Sequence, residues 1–249
     1  MDKLIYTAMS GASQALDQQA SIANNLANAS TAGFRAQLST YRSVPLETAT
    51  SGGATTRTFA LTSNPGSDFT PGPIDRTGNP LDIAIQGDGW IAVQGTNGDE
   101  AYTRAGNLHV DQSGQLVNGQ GQQIIGKGGP ISIPPGAKID IAADGTISSF
   151  NGGDKTTMTV IDTIKLVKPA NTALKRGDDG FFRTADGSAL SADATVQIAP
   201  GSLEGSNVNT VQAMVAMIDN ARSFQMHMKM LDMASTNEQS ANQLLNFSS

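Results

Sequence analysis

Two long helical patterns bound this chain, and nearly all of its glycine and proline lies between them. Residues 1–32 contain one glycine, Gly11, and no proline. Small or apolar residues recur at Ile5, Ala8, Ala12, Ala15, Ile22, Leu26 and Ala29, with Gln19 in the one remaining slot. Steps of three and four residues keep these side chains on one face, so the segment predicts a helix with a heptad seam. About 27 helical residues would reach about 40 Å. Gly33 suits the left-handed position that ends a helix, and Phe34 suits the apolar contact that folds back on the last turn. Residues 206–247 again lack glycine and proline. The same spacing recurs there at Met214, Met217, Ala221, Phe224, Met228, Leu231 and Ser235, and it weakens before Leu245. Ser206 or Asn207 is the expected N-cap of this second helix, which would span about 60 Å.

The interior of the chain follows another rule. Short runs such as LDIAI (81–85), WIAVQ (90–94), AYTR (101–104), KIDI (138–141), TISSF (146–150), MTVID (158–162), IKLVK (164–168) and VQIA (196–199) are separated by Asn-Gly, Asp-Gly and Ser-Gly turns. That pattern predicts an antiparallel, all-β domain, and no helical stretch long enough for a parallel crossover lies among the runs. The expected organisation is a terminal helical domain of residues 1–32 plus 206–249, a connector over 33–58, and a β domain over 59–205. ETATSGGATTRT (47–58) is the most linker-like part of the connector. A β domain of this size has a radius of gyration of only about 15 Å. A 60 Å helix would overhang it, so the two helices are expected to pair as a coiled-coil-like stalk.

Composition then narrows function. The chain has no cysteine, which removes disulfides, thiolate metal sites and cysteine nucleophiles. His109 and His227 are its two histidines, too few for a multi-histidine metal centre. A net charge of −6 lacks the basic surface that a sequence-independent grip on nucleic acid needs. No run approaches the length of a membrane span, and the N-terminal segment lacks the apolar core of a cleavable signal. Charged residues are 15% of the chain, against about 25% in average domains. The first helix carries only Asp2, Lys3 and Asp17, and the second only Asp219, Arg222, Lys229, Asp232 and Glu238. Solvated helix faces usually interleave Glu and Lys. Faces of small and amide side chains suit close approach by other helices, so burial among neighbouring subunits of a polymer is expected.

Catalytic constellations are weak. Asp178-Asp179 could serve as paired carboxylates in a glycosidase, but adjacent residues diverge on a strand and are solvated in a turn. AADGTISSFNGGD (142–154) lacks the ligand order of a calcium loop, and NGQGQQIIG (118–126) lacks the spacing and the βα setting of a nucleotide loop. Asn24, Asn25 and Asn28 sit in the first helix despite poor propensity. Either they bond between helices and fix register, or they lie exposed near a fraying end.

Three blocks then carry a resemblance. SIANNLANASTAGFRAQ (21–37) is similar to the N-terminal signature of the bacterial flagellar rod and hook family, Ala-Asn-Asn-x-Ala-Asn followed by Thr-x-Gly-Phe-Arg/Lys. LEGSNVNTVQAMVAMIDNARSFQMHMKML (203–231) resembles its C-terminal signature, and residues 80–126 resemble its central β segment. DGW at 88–90 and IPPGAKIDIAADGTIS (133–148) look more like proximal-rod members than distal-rod ones. The resemblance implies a structural, non-enzymatic subunit of a helical axial tube that crosses the periplasm and carries torque to the hook. It implies passage through the flagellar type III export apparatus, and contacts with copies of itself and with neighbouring rod proteins. No cofactor or metal is implied. The residues expected at the helix seam and subunit interface are Ile5, Ala8, Ala12, Ile22, Asn25, Leu26, Met214, Met217, Phe224, Met228, Leu231 and Leu245. Gly33, Phe34 and Asn207 are expected to form the corner. A carbohydrate-binding or adhesive β protein on a helical stalk is the remote alternative.

Overall fold

The structure is a computed structural model that describes residues 2–38, 41–45, 58–62, 66–150, 158–170 and 174–246. Two helices bound it: α1, Asp2–Ala27, has 26 residues, and α2, Thr210–Asn246, has 37. They measure about 39 and 55 Å. Between them every strand pairing among the described residues is antiparallel. Among the described residues no helix is long and apolar enough to cross a membrane. The chain divides into two compact units. One comprises Met1–Ala27, Gln37–Ser67 and Asn209–Ser249, and the other Asn28–Ala36 and Asp68–Val208.

The second unit is built on a five-stranded sheet. Its strands run, in spatial order, Leu166–Val167, Trp90–Gln94, Glu100–Thr103, Phe182–Thr184 and Leu174–Arg176. Trp90–Gln94 is buried on both faces, and the two-residue period of a strand sorts its side chains. Ile91 and Val93 enter the larger core with Ile83, Ile85, Leu116, Ile124, Ile147 and Ile198. Trp90 and Ala92 enter a smaller one with Tyr102, Val167 and Phe182. The Trp90 ring lies 4.7 Å from Phe182 and 5.9 Å from Phe69, centroid to centroid. Lys138–Ile141, Thr146–Phe150 and Met158–Thr163 form a three-stranded antiparallel sheet. Its first turn is closed by Asp144, whose Oδ1 accepts the Thr146 N–H at 3.0 Å.

In the first unit α1 packs antiparallel on α2. Gly11 lies opposite His227, and Ala15 and Gln19 lie opposite Asn220. This register leaves about ten residues at the end of α2 beyond the start of α1. The zone expected as a patternless connector also carries strands. Tyr41–Pro45 pairs with Thr58–Thr62, and Gln37–Leu38 pairs with Gly66–Ser67. Residues 46–57, which hold the linker-like stretch except Thr58, lie outside the described residues.

Candidate functional site

The helix seam is the first candidate. On α1 its covered side chains are Ile5, Ala8, Ala12, Ala15, Gln19, Ile22 and Leu26, with the three alanines and Ile22 buried. On α2 they are Ala213, Met217, Asn220, Phe224, His227, Leu231 and Ala234, with Asn220 and Ala234 buried. Met217, Phe224 and Leu231 are partly covered. Met214 and Met228 are not: they are 53% and 42% exposed. The seam takes the residue before each of them in the heptad, placing Ala213, Asn220, His227 and Ala234 where Met214, Ala221, Met228 and Ser235 were expected. The cause is the small side chains of α1. Ala8, Gly11, Ala12 and Ala15 let the two backbones approach closely. Asn220 Nδ2 then reaches the Ala15 carbonyl at 2.7 Å and Gln19 Oε1 at 2.8 Å. The His227 ring occupies the notch at Gly11, where a Cβ would lie 2.5 Å from its Cε1. A sequence pattern weighted by hydrophobicity favours methionine at those slots. The signal it passes over is an amide and an imidazole at heptad spacing opposite glycine and alanine.

Asn25 is half-buried and acts on a strand rather than on a helix. Its Nδ2 donates to the Gln37 carbonyl at 2.9 Å, and its Oδ1 accepts the Gln37 N–H at 2.8 Å. Asn24 is exposed, and Asn28 Oδ1 accepts from the Thr31 hydroxyl at 3.2 Å. Leu245 lies in α2 with its side chain outside the described residues.

The second candidate is the corner in the β unit. α1 ends at Ala27, well before Gly33, so Gly33 is not its cap. Gly33 does hold φ +68°, and its N–H donates to the Glu204 carbonyl at 2.7 Å. A Cβ there would lie 2.2 Å from the Arg104 carbonyl carbon. Phe34 is buried beneath the Arg176 guanidinium, 4.5 Å from its ring centre, instead of folding back on a helical turn. Arg176 also donates to the Arg35 carbonyl at 3.0 Å. Asn207 does not cap α2. Its Oδ1 accepts the Ala36 N–H at 2.7 Å, and its Nδ2 donates to the carbonyls of Asp68 and Thr70, each at 3.0 Å. The N-cap is Asn209, whose Oδ1 accepts the Gln212 N–H at 3.1 Å.

At the centre of this corner sits an ion triad. Arg35 Nη2 donates to Glu204 Oε1 at 2.5 Å, and Arg104 Nη1 to Oε2 at 2.9 Å. The Gly72 N–H donates to Oε1 at 3.0 Å. Side-chain exposure is 0% for Arg35, 1% for Glu204 and 5% for Arg104. Burial pulls the Arg104 guanidinium below its ordinary range, and the Glu204 charge opposes that pull. Arg35 and Glu204 belong to the two quoted signature blocks, but neither shows in the sequence that it meets Arg104 from the central segment.

Asp178-Asp179 and the glycine-rich 118–126 stretch form turns, whereas in AADGTISSFNGGD (142–154) the turn at Asp144 leads into a strand and residues 151–154 lie outside the described residues. Asp179 accepts from Arg183 at 2.9 and 2.6 Å, and Arg183 Nε also donates to Asp99. The Arg183 hydrogen bonds hold both carboxyls below their ordinary values. Asn118 Oδ1 accepts the N–H groups of Gln120 and Gln122, which closes the turn of the glycine-rich 118–126 stretch. His109 is exposed.

Comparison with known proteins then decides the family. The flagella basal body rod protein family matches residues 5–35, the flagellar hook protein FlgE/F/G D1 domain matches 84–149, and the flagellar basal body rod FlgEFG C-terminal family matches 199–244. The chain is 51% identical over 255 residues, covering all of both chains, to the flagellar basal-body rod proteins FlgF of Salmonella typhimurium and Escherichia coli. The chain belongs to the flagellar basal-body rod protein family. Within it the likeness is to FlgF. The flagellar basal-body rod protein FlgG of Bacillus subtilis is 31% identical, with 93% of this chain and 94% of the relative covered. With FlgF relatives at 51% identity over the full length, the distal-rod alternative is not favoured. The protein is a structural subunit of the rod that spans the periplasm, not an enzyme.

Proposed function

We propose that the chain polymerises in the proximal rod by burying the outward faces of α1 and α2 against copies of itself and against neighbouring rod proteins. In this reading α1 and α2 pair as a coiled-coil-like stalk. The seam residues Ile5, Ala8, Ala12, Ile22, Leu26, Met217, Phe224 and Leu231 hold each subunit's helices together. The observation that carries the reading is a second heptad on α1. Tyr6, Met9, Leu16, Ala20, Ala23 and Ala27 keep the three-four spacing, with the small Ser13 in the slot between Met9 and Leu16, and all seven are exposed. Tyr6, Met9 and Leu16 leave more than half of their surface in solvent. α2 has a matching outer face of Val211, Met214, Val215 and Ile218, followed by Met226, Met230 and Met233, each more than half exposed. Met214 and Met228 belong here rather than to the intrachain seam. Scattered exposed apolar residues are ordinary, but a contiguous apolar stripe marks an interface. Burying each of these half-exposed side chains would contribute roughly 1 kcal/mol. Methionine adapts its rotamers to inequivalent neighbours, which suits a subunit that meets different rod proteins above and below. Delivery through the type III export apparatus and torque transfer to the hook follow from the same role.

The experiment is complementation of a deletion strain with Leu16→Asp and Ile218→Asp. Both variants should leave the β unit folded and should lower rod incorporation and swimming at least tenfold. Swimming at the parental rate with both, at parental expression, would show that these faces stay in solvent.

A further inference from the structure

The buried triad of Arg35, Glu204 and Arg104 is poorly arranged for stability. Two guanidinium groups share one buried carboxylate, and Asp88, the further carboxylate that acts on Arg104, is exposed, so the buried cluster itself carries an excess positive charge. Arg35 Nε and Nη1 and Arg104 Nε are buried, and each lacks an acceptor among the described residues. Buried donors without acceptors are costly, and an apolar trio of similar volume usually matches or exceeds the stability of a buried ion cluster. What the triad supplies is direction. Apolar packing is non-directional and tolerates slippage, whereas charge-assisted hydrogen bonds require particular distances and angles. The Glu204 carboxylate receives donors from three separate stretches: Arg35 beside the Gly33–Phe34 corner, Gly72, and Arg104. The Glu204 carbonyl receives a fourth donor, the Gly33 N–H. Three residues on, Asn207 ties two of these stretches through Ala36, Asp68 and Thr70. We propose that Glu204, clasped by Arg35 and Arg104, is a positioning residue for rod assembly, selecting one register between residues 33–36 and 202–207 without being a source of stability.

This role rests on the assembly reading above, and a three-way comparison of full-length variants tests it. Glu204→Gln leaves two buried guanidinium groups without a buried counter-charge. It should lower the melting temperature by about 10 °C and abolish swimming. The triple variant Arg35→Met, Arg104→Met, Glu204→Leu keeps the volume and removes every charge. Its melting temperature should recover most of the loss seen in Glu204→Gln, the remainder reflecting the Gly72 N–H and the Gly87 carbonyl that lose their partners, while rod incorporation stays at least tenfold down. The melting comparison needs no rod, so it is unaffected if the outward-face variants show the assembly reading to be wrong. Parental swimming by the triple variant would overturn the proposal, because shape alone would then set the register. Failure of the triple variant to fold, or a melting temperature as low as that of Glu204→Gln, would overturn it too, because the triad would then be a stability element.

Discussion

At Gly33 two physical demands coincide. The backbone holds φ +68°, which costs an L-residue about 1–2 kcal/mol, and any Cβ would lie 2.2 Å from the Arg104 carbonyl carbon and 2.3 Å from the Ala105 nitrogen. Asparagine relieves the first demand but not the second, because the obstacle is backbone. Gly33→Ala, Gly33→Asn and Gly33→Val should therefore all destabilise the β unit and impair swimming, with asparagine no milder than valine. If asparagine proves close to parental, dihedral strain dominates and the backbone contact relaxes easily. A second residue-scale expectation concerns Arg183. Its bonds hold the Asp99 and Asp179 carboxyls below their ordinary values, so those groups bind protons more weakly folded than unfolded. The stability they contribute is present above the ordinary carboxylate range near pH 4 and is lost as pH falls through the depressed values. Both groups are partly exposed, so the effect is small. Arg183→Met should remove it, flattening the decline of melting temperature below pH 4. An unchanged acid slope would mean that other carboxylates carry it.

Along the helices, the three-four spacing of α1 is readable from Ile5 to Leu26, where alanine and isoleucine are small or apolar and lie where they pack, but the expected Ala29 falls beyond the helix end at Ala27. The seam of α2 is only half readable. Met217, Phe224 and Leu231 follow the hydrophobic pattern, but Asn220 and His227 are chosen by backbone approach, which no residue-by-residue hydropathy expresses. The corner is less legible still. Gly33 and Phe34 read as a local cap, yet their partners, Glu204 and Arg176, lie far along the chain. Local patterns find turns and periods, and they do not find which distant backbone a glycine touches. The strand Tyr41–Pro45 escapes a reading by pattern because it is short and its partner Thr58–Thr62 follows a linker-like stretch. At this scale Asn220→Ala should remove two interhelical hydrogen bonds and cost about 1–2 kcal/mol. Hydrogen exchange in α1 around Ala15–Gln19 should accelerate, while the Trp90–Gln94 strand should not change. Met217→Asp places a charge in the same seam and should be more severe, abolishing swimming at normal expression.

For the molecule as a whole, the two units draw their stability from different sources. The β unit buries Ile83, Ile91, Leu116, Ile124 and Ile147 almost completely, and it has its own aromatic cluster. The helical unit leaves Tyr6, Met9, Leu16 and much of the α2 methionine face in solvent, and about ten residues of α2 pass the start of α1. Long helices gain most of their stability from packing, and here each leaves a face in solvent. Local opening free energies should differ accordingly. In dilute monomer, amides of the five-stranded sheet should exchange orders of magnitude more slowly than those of α1 and α2, with the end of α2 that passes the start of α1 the fastest. In assembled rods the helical amides should become protected to a level near that of the sheet, because their second faces are then covered. Strong protection of α1 and α2 already in the monomer would show that the intrachain seam alone suffices. The exposed heptad of Tyr6, Met9 and Leu16 would then lose its role as the driving surface of polymerisation.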